Sequence, residues 1–199
     1  EGRVKTLHPK VHAGILNKRN NKNHKKQMRL FKYENIDLVI VNFYPFEKTL
    51  AKTKNSKTII ENIDIGGPTL ARAAAKNFND VTVITNIEQY NELVDELWKN
   101  KGSTSLLFRQ KLSEEAFSLT AYYDSTITNF FTKKRKNYFP KRKLVYGNLI
   151  EKLRYGENPH QEAAIYSYEK SLDIIQLHGK KLSYNNYNDL YSALNISKT

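Results

Sequence analysis

Apolar positions along this chain fall into two rhythms, and the alternation between them predicts its elements. Lys25 to Tyr33 repeats at helical spacing, with Met28, Leu30 and Phe31 on or near the inner face. Asp37 to Phe43 is a short apolar run rich in β-branched residues, which predicts a buried parallel strand ended by Pro45. Lys48 to Lys57 reads as a polar connector, and Ser56 as the cap of a helix through Asn62. Leu70 to Ala75 is a run of strong helix formers behind Pro68, expected at the first helical position. Val81 to Thr85 predicts a second buried strand. Ile87 to Asn100 predicts an amphipathic helix with Tyr90, Leu93, Val94 and Leu97 on its apolar side, broken by Gly102. Ser105 to Phe131 predicts a long helix whose Leu107, Leu112, Phe117, Leu119 and Tyr123 are packing residues. Strand, helix, strand, helix in that order indicates an α/β fold with a parallel sheet.

The rhythm changes after Thr132–Arg142, a basic stretch containing Pro140 and the best domain boundary in the chain. Beyond it, 144–150, 163–168 and 173–177 read as strands, Gly179 as a turn and Asp189 to Ile196 as a helix. This gives a first domain over 1–140 and the start of a second over 141–199. Gly2 to Pro9, at the other end, reads as a loop, since Pro9 keeps His8 out of helical geometry.

Composition narrows the picture. An apolar fraction of 39% over 199 residues is lean but adequate for a core. No apolar run approaches a membrane span, and no signal peptide is recognisable. The absence of cysteine excludes disulfides, thiolate metal sites and cysteine nucleophiles. A net charge of +13 raises nucleic-acid binding as an alternative. Most of that charge is Lys, in a chain also rich in Asn, Ile and Tyr, as AT-rich coding would favour. The basic residues are spread, with local runs only at Lys22–Lys26 and Lys133–Lys143.

The candidate chemistry centres on Ile60–Asn77. Asp64 stands just before Gly66-Gly67, where a tight glycine turn opens a helix. Such a turn lets a ligand approach bare backbone, and a helix N-terminus offers unpaired N–H groups to negative charge. Tyr44 stands at the carboxyl end of the first predicted strand, where open α/β sheets place their ligands. Arg3 and Lys5 are two nearby cations suited to a phosphate. His8 and His12 are one helical turn apart, but Pro9 lies between them and no third ligand is evident, so no metal site is assigned.

IDIGGPTLARAAAKN at 63–77 resembles a signature of the bifunctional AICAR transformylase/IMP cyclohydrolase family of purine biosynthesis. GRVKTLHPKVH at 2–12, NFYPF at 42–46, LRYGENPHQ at 153–161 and LSYNN at 182–186 agree with the same family, in the same order. The resemblance implies a methylglyoxal-synthase-like α/β domain followed by the start of a transformylase domain. It implies closure of the purine ring of 5-formamidoimidazole-4-carboxamide ribotide to IMP, with Asp64, Lys76, Tyr44 and Lys5 catalytic. Arg3, Thr6, Asn42, Ile65, Gly66 and Gly67 would bind the substrate. Arg154, Tyr155 and His160 would lie near the AICAR site of the second activity, for which 10-formyltetrahydrofolate is the co-substrate. The cyclohydrolase needs no metal or redox cofactor. A cytoplasmic homodimer, with a small-molecule ribotide as ligand and neither specific nucleic acid nor membrane as partner, is the expected setting.

The implied chemistry needs a base for the carboxamide nitrogen, assigned to Asp64, and donors for the formyl oxygen, assigned to backbone N–H groups near Ile65 and Gly66 with Lys76 or Tyr44. Lys76 lies about 12 Å along a helix axis from Pro68, so it joins Asp64 only if the helix breaks early or the side chain folds back. The Ser-Thr-Gly-Gly phosphate turn of the family is not in this sequence, and Glu1 already lies inside a family motif, so the chain is expected to be a fragment. A phosphate-binding regulatory domain of the same fold is the second alternative, but a phosphate site alone needs no carboxylate.

Overall fold

The computed structural model describes residues 7–168, 172 and 174–198. They form two compact units that divide between Pro140 and Lys141. No helix among them is long and apolar enough to cross a membrane.

The first unit opens with α1 (Pro9–Leu16), which starts at the last residue of the predicted loop and covers residues for which the sequence predicted no element. His8 is extended, as a residue before proline must be, and its Nδ1 accepts the Lys10 N–H at 3.1 Å. Helix α2 (Lys22–Leu30) begins three residues earlier than expected, because Asn21 caps it by accepting from Asn23 and His24. Only Met28 of its expected inner face is buried; Leu30 and Phe31 are exposed. Strand β1 (Leu38–Ile40) follows, then α3 (Phe46–Lys52) and α4 (Ser56–Glu61). The polar connector is therefore mostly helix. Its anchor, Phe46, lies two residues ahead of the predicted connector and is buried to 2% exposure. Asn55, not Ser56, caps α4.

Helix α5 (Gly66–Lys76) leads into β2 (Thr82–Ile84). β1 and β2 pair in parallel, Leu38 with Thr82 and Ile40 with Ile84. All of β2 is buried, whereas β1 buries Val39 alone and leaves Leu38 and Ile40 exposed. The expectation of a strand buried on both faces thus holds for β2 and fails for β1, which has one strand neighbour and one covered face among the described residues. A short 3₁₀ turn (Ile87–Gln89) precedes α6 (Tyr90–Lys99), which buries Leu93 and leaves Tyr90 and Val94 exposed. Helix α7 (Leu106–Lys134) is capped by Ser105. Its buried face is Phe108, Leu112, Ala116, Thr120 and Tyr123, so the expected Leu107 and Phe117 lie outside it.

The core explains this order. Ala71, Ala73, Ala74 and Ala75 are all buried, and their small side chains let α5 lie close against both the sheet and α7. A second cluster of Phe46, Ile59 and Tyr123, flanked by Phe43, Leu50 and Ile127, joins α3 and α4 to α7.

The second unit holds β3 (Asn148–Lys152) and β4 (Ala164–Ser167), an antiparallel pair with an irregularity between Leu149 and Glu151. Helix α8 (Tyr184–Ser197) begins five residues before the expected Asp189, because Ser183 and Asn186 form a reciprocal capping box. Gly179 makes the expected turn, with φ at +98°. The strand expected over 173–177 is not formed: 174–177 are irregular, and 173 lies outside the described residues.

Candidate active site at the amino end of α5

Asp64 is the meeting point of three chain segments. Its Oδ1 accepts the Gly67 N–H at 2.9 Å and its Oδ2 accepts the Tyr44 N–H at 3.1 Å. Its own N–H donates to the Tyr123 hydroxyl at 2.8 Å. The carboxylate therefore caps α5 by side chain, one residue ahead of the boundary set by dihedral angles. It also ties the loop after β1 to that cap. Because the crossover from β1 runs through α3 and α4 and returns along α5 to the amino end of β2, the start of α5 lies at the carboxyl edge of the parallel sheet.

The capping bond corrects the expected role of the glycine pair. Neither Gly66 nor Gly67 has positive φ; both lie in the first turn of α5. Gly67 is required by space, since a Cβ there would stand 2.5 Å from Asp64 Oδ2 and 3.2 Å from the Phe43 ring. Pro68 falls third in the helix, not first, and costs little because first-turn N–H groups have no helical acceptor in any case. Among the described residues the N–H groups of Ile65 and Gly66 donate to no protein acceptor. They remain available beside the carboxylate, at the positive end of the helix dipole.

Tyr44 joins the site through its backbone N–H, while its ring is 58% exposed. Asn42 and Ile65 are exposed at the same edge. Lys76 does not meet Asp64. Helix α5 is unbroken, which puts Lys76 about 15 Å along the axis from Gly66. It is exposed in the last turn, at the opposite edge of the sheet. Neither route that would have joined the two, an early break or a folded-back side chain, is taken. Arg3, Lys5 and Thr6 lie outside the described residues.

Tyr123 is the residue that the sequence reading left as packing. It stands 59 residues from Asp64 along the chain. Its ring meets Phe43 and Phe46 edge-on, with centroids 5.4 and 6.1 Å away. Burial pushes its phenol above the usual tyrosine range, partly offset by the bond from Asp64, so it is a neutral hydroxyl at ordinary pH. No sequence signal distinguishes Tyr123 from other apolar-face aromatics; the NFYPF and IDIGG motifs locate its partners only.

In the second unit, the two motifs expected on the transformylase side are tied together. Arg154 N–H donates to Leu182 C=O at 2.9 Å, and Tyr184 N–H to Tyr155 C=O at 3.1 Å. The Arg154 guanidinium lies over the Tyr155 ring, 4.8 Å from its centroid. His160 is exposed on the same turn. Among the described residues, no three of His, Asp or Glu come together as a metal cluster. Two cavities of the first unit lie away from Asp64: one of about 340 Å³ beside Trp98, and one of about 600 Å³ beside Arg19 and Arg29.

A crystal structure titled ForH superposes with a TM-score of 0.57 at 31% identity, covering 65% of this chain and 68% of that one. The bifunctional purine biosynthesis protein PurH of Bradyrhizobium diazoefficiens is 48% identical over 197 residues, 97% of this chain and 37% of the relative. PurH of Elusimicrobium minutum is 47% identical over 97% of this chain and 38% of its own length. The chain thus spans under two fifths of these two relatives. The MGS-like domain model matches residues 3–69, and the model of the AICARFT/IMPCHase bienzyme matches 74–199. With that family model covering more than half of the sequence, the chain belongs to the AICARFT/IMPCHase bienzyme family.

Proposed function

We propose that the first unit carries the ring-closing step of purine biosynthesis, the IMP cyclohydrolase reaction, within a bifunctional protein. The observation that carries this reading is the Asp64 carboxylate, fixed by the N–H groups of Tyr44 and Gly67 beside the unspent N–H groups of Ile65 and Gly66. In the reaction, the carboxamide nitrogen of the formamido ribotide attacks the formyl carbon of the same molecule. Asp64 takes a proton from that nitrogen as the C–N bond forms; each carboxylate oxygen has accepting capacity beyond its one backbone bond. The formyl oxygen gains negative charge, which the Ile65 and Gly66 N–H groups receive. It leaves as water, carrying the proton that Asp64 took and the one that the formamido nitrogen loses, and the C=N bond of the new ring forms as the C–O bond breaks. The reaction is intramolecular, so fixed geometry supplies much of the acceleration.

The remaining roles are proposals on the resemblance. Arg3, Lys5 and Thr6 hold the phosphate, Tyr44 and Asn42 face the ribotide, and Lys76 has only the family motif behind a catalytic part. Arg154, Tyr155 and His160 belong to the AICAR side of the transformylase activity, with 10-formyltetrahydrofolate as formyl donor. The test is ultraviolet detection of IMP formed from the formamido ribotide by the protein expressed from its complete reading frame, with IMP binding titrated alongside. Turnover together with weaker IMP binding by Lys5→Ala is expected. Absence of both turnover and IMP binding in the parent protein would overturn the proposal.

A further inference from the structure

Asp64 is held at three points, and two of them are backbone groups that meet its carboxylate: the Gly67 N–H within its own turn and the Tyr44 N–H of the loop after β1. The third, the Tyr123 hydroxyl, comes from α7. Tyr123 also packs edge-on against Phe43, the residue before Tyr44, and Phe43 in turn closes the space beside Gly67. One α7 side chain therefore touches the backbone of the aspartate itself and packs on Phe43, which adjoins both arms of the carboxylate clamp. Losing the hydroxyl would free the Asp64 N–H and let the turn rotate, moving the carboxylate relative to the Ile65 and Gly66 N–H groups.

We infer that Tyr123 is a positioning residue for ring closure, acting through Asp64 by fixing where its carboxylate stands against the oxyanion donors. The inference rests on the cyclohydrolase reading above. A merely structural hydroxyl is available for comparison on the same helix: Ser113 Oγ donates to the Ala75 carbonyl at 2.8 Å, at the other end of α5. Both Tyr123→Phe and Ser113→Ala delete one buried hydroxyl from α7 and keep the rest of the packing nearly intact.

The experiment measures kcat, KM, thermal midpoint and amide hydrogen exchange for the parent protein and both variants, each expressed from the complete reading frame. Tyr123→Phe is expected to lower kcat about tenfold, the rate equivalent of one net hydrogen bond, with KM within about twofold. Exchange at the Asp64 amide should accelerate. Ser113→Ala should lower the thermal midpoint comparably and leave kcat per folded molecule at the parental value. Parental kcat in Tyr123→Phe, or a fall no larger than its unfolded fraction or than that of Ser113→Ala, would overturn the inference and leave the cyclohydrolase reading standing. A parent protein without ring closure would instead overturn that reading, and this one with it.

Discussion

The two ends of α5 are pinned by the same helix and differ in what they leave unspent. At the amino end, Tyr123 holds the Asp64 N–H, and among the described residues the adjoining N–H groups of Ile65 and Gly66 stay free. At the carboxyl end, Ser113 takes the Ala75 carbonyl, and Asn77 donates to the carbonyls of Ile15 and Asn17 at 2.8 and 3.1 Å. The Asn77 N–H itself returns to Ala73 and Ala74. One end is a place where donors wait beside a fixed carboxylate. The other is a closed joint that locks α5 to α1. Buried polar groups at the closed end contribute stability; free ones at the open end contribute capacity for chemistry.

Breaking the open end should give the largest effects. Asp64→Asn replaces an acceptor oxygen by an NH₂ that must face the Tyr44 or Gly67 N–H, so it removes the proposed base and opposes the clamp at once. Ring closure should fall by about two orders of magnitude or more, the range for losing a general base. Single-turnover measurement of IMP formation checks this, and parental turnover would make Asp64 structural. Gly67→Ala tests the same clamp by crowding. Its Cβ would stand 2.5 Å from Asp64 Oδ2, so the carboxylate must shift. A displacement of that order should lower turnover by roughly ten- to a hundredfold. The helix gains about 1 kcal/mol from Gly→Ala against an overpacking cost of about 1–3 kcal/mol, so stability should fall by no more than about 2 kcal/mol. A turnover loss smaller than the stability loss implies would break the comparison.

Breaking the closed end should cost stability alone. Asn77 is buried, and Asn77→Ala strands the Ile15 carbonyl and leaves Arg19 Nη1 as the remaining donor to the Asn17 carbonyl, which should cost about 1–3 kcal/mol in urea unfolding. Turnover per folded molecule should not change. A pH profile separates the ends again. The folded-state value of Tyr123 is raised, chiefly by burial, above the unfolded value of about 10. Its contribution is intact below that pH and is lost as pH rises through the folded value. Tyr123→Phe should therefore flatten the alkaline fall in stability above about pH 10, and Asn77→Ala should lower the whole curve without changing its slope.

The sequence made the open end legible in part. Asp64, the glycine pair and Tyr44 carry short-range signals: turn residues before an Ala-rich helix, and an apolar run ended by Pro45. Those signals are local, so they located the residues without showing how they meet. A glycine pair before a helix predicts a turn at Gly67, because spacing cannot reveal that a side chain two positions past Ile65 would collide with Asp64. Tyr123 is indistinguishable from a packing residue in the sequence, because a buried aromatic on a helix face looks the same whether or not its hydroxyl has a distant partner. The βαβ order emerged from hydrophobic rhythm, but α1 and α3 did not, being short helices set by His8-Pro9 and by one buried Phe46. Lys76 was kept with Asp64 by motif, and helix rise alone already argued for their separation.

Lys76 offers the smallest and sharpest test. It lies exposed in the last turn of α5, where its charge complements the carboxyl end of the helix dipole by about 0.3–1 kcal/mol at most. Lys76→Ala should therefore shift stability by no more than about 1 kcal/mol and leave exchange at the Asp64 amide unaltered. If Asp64 exchange accelerates, the two ends of α5 are coupled through the helix and do not divide stability from chemistry. If exchange is unchanged but turnover drops about a hundredfold, Lys76 acts on the ribotide directly, as the family motif implies. With about 15 Å of unbroken helix between Gly66 and Lys76, such a contribution would have to reach Asp64 from a second copy of the chain. Mixing Lys76→Ala with Asp64→Asn protein distinguishes that case, since two singly inactive copies would then restore activity in the mixture and a site built within one chain would not.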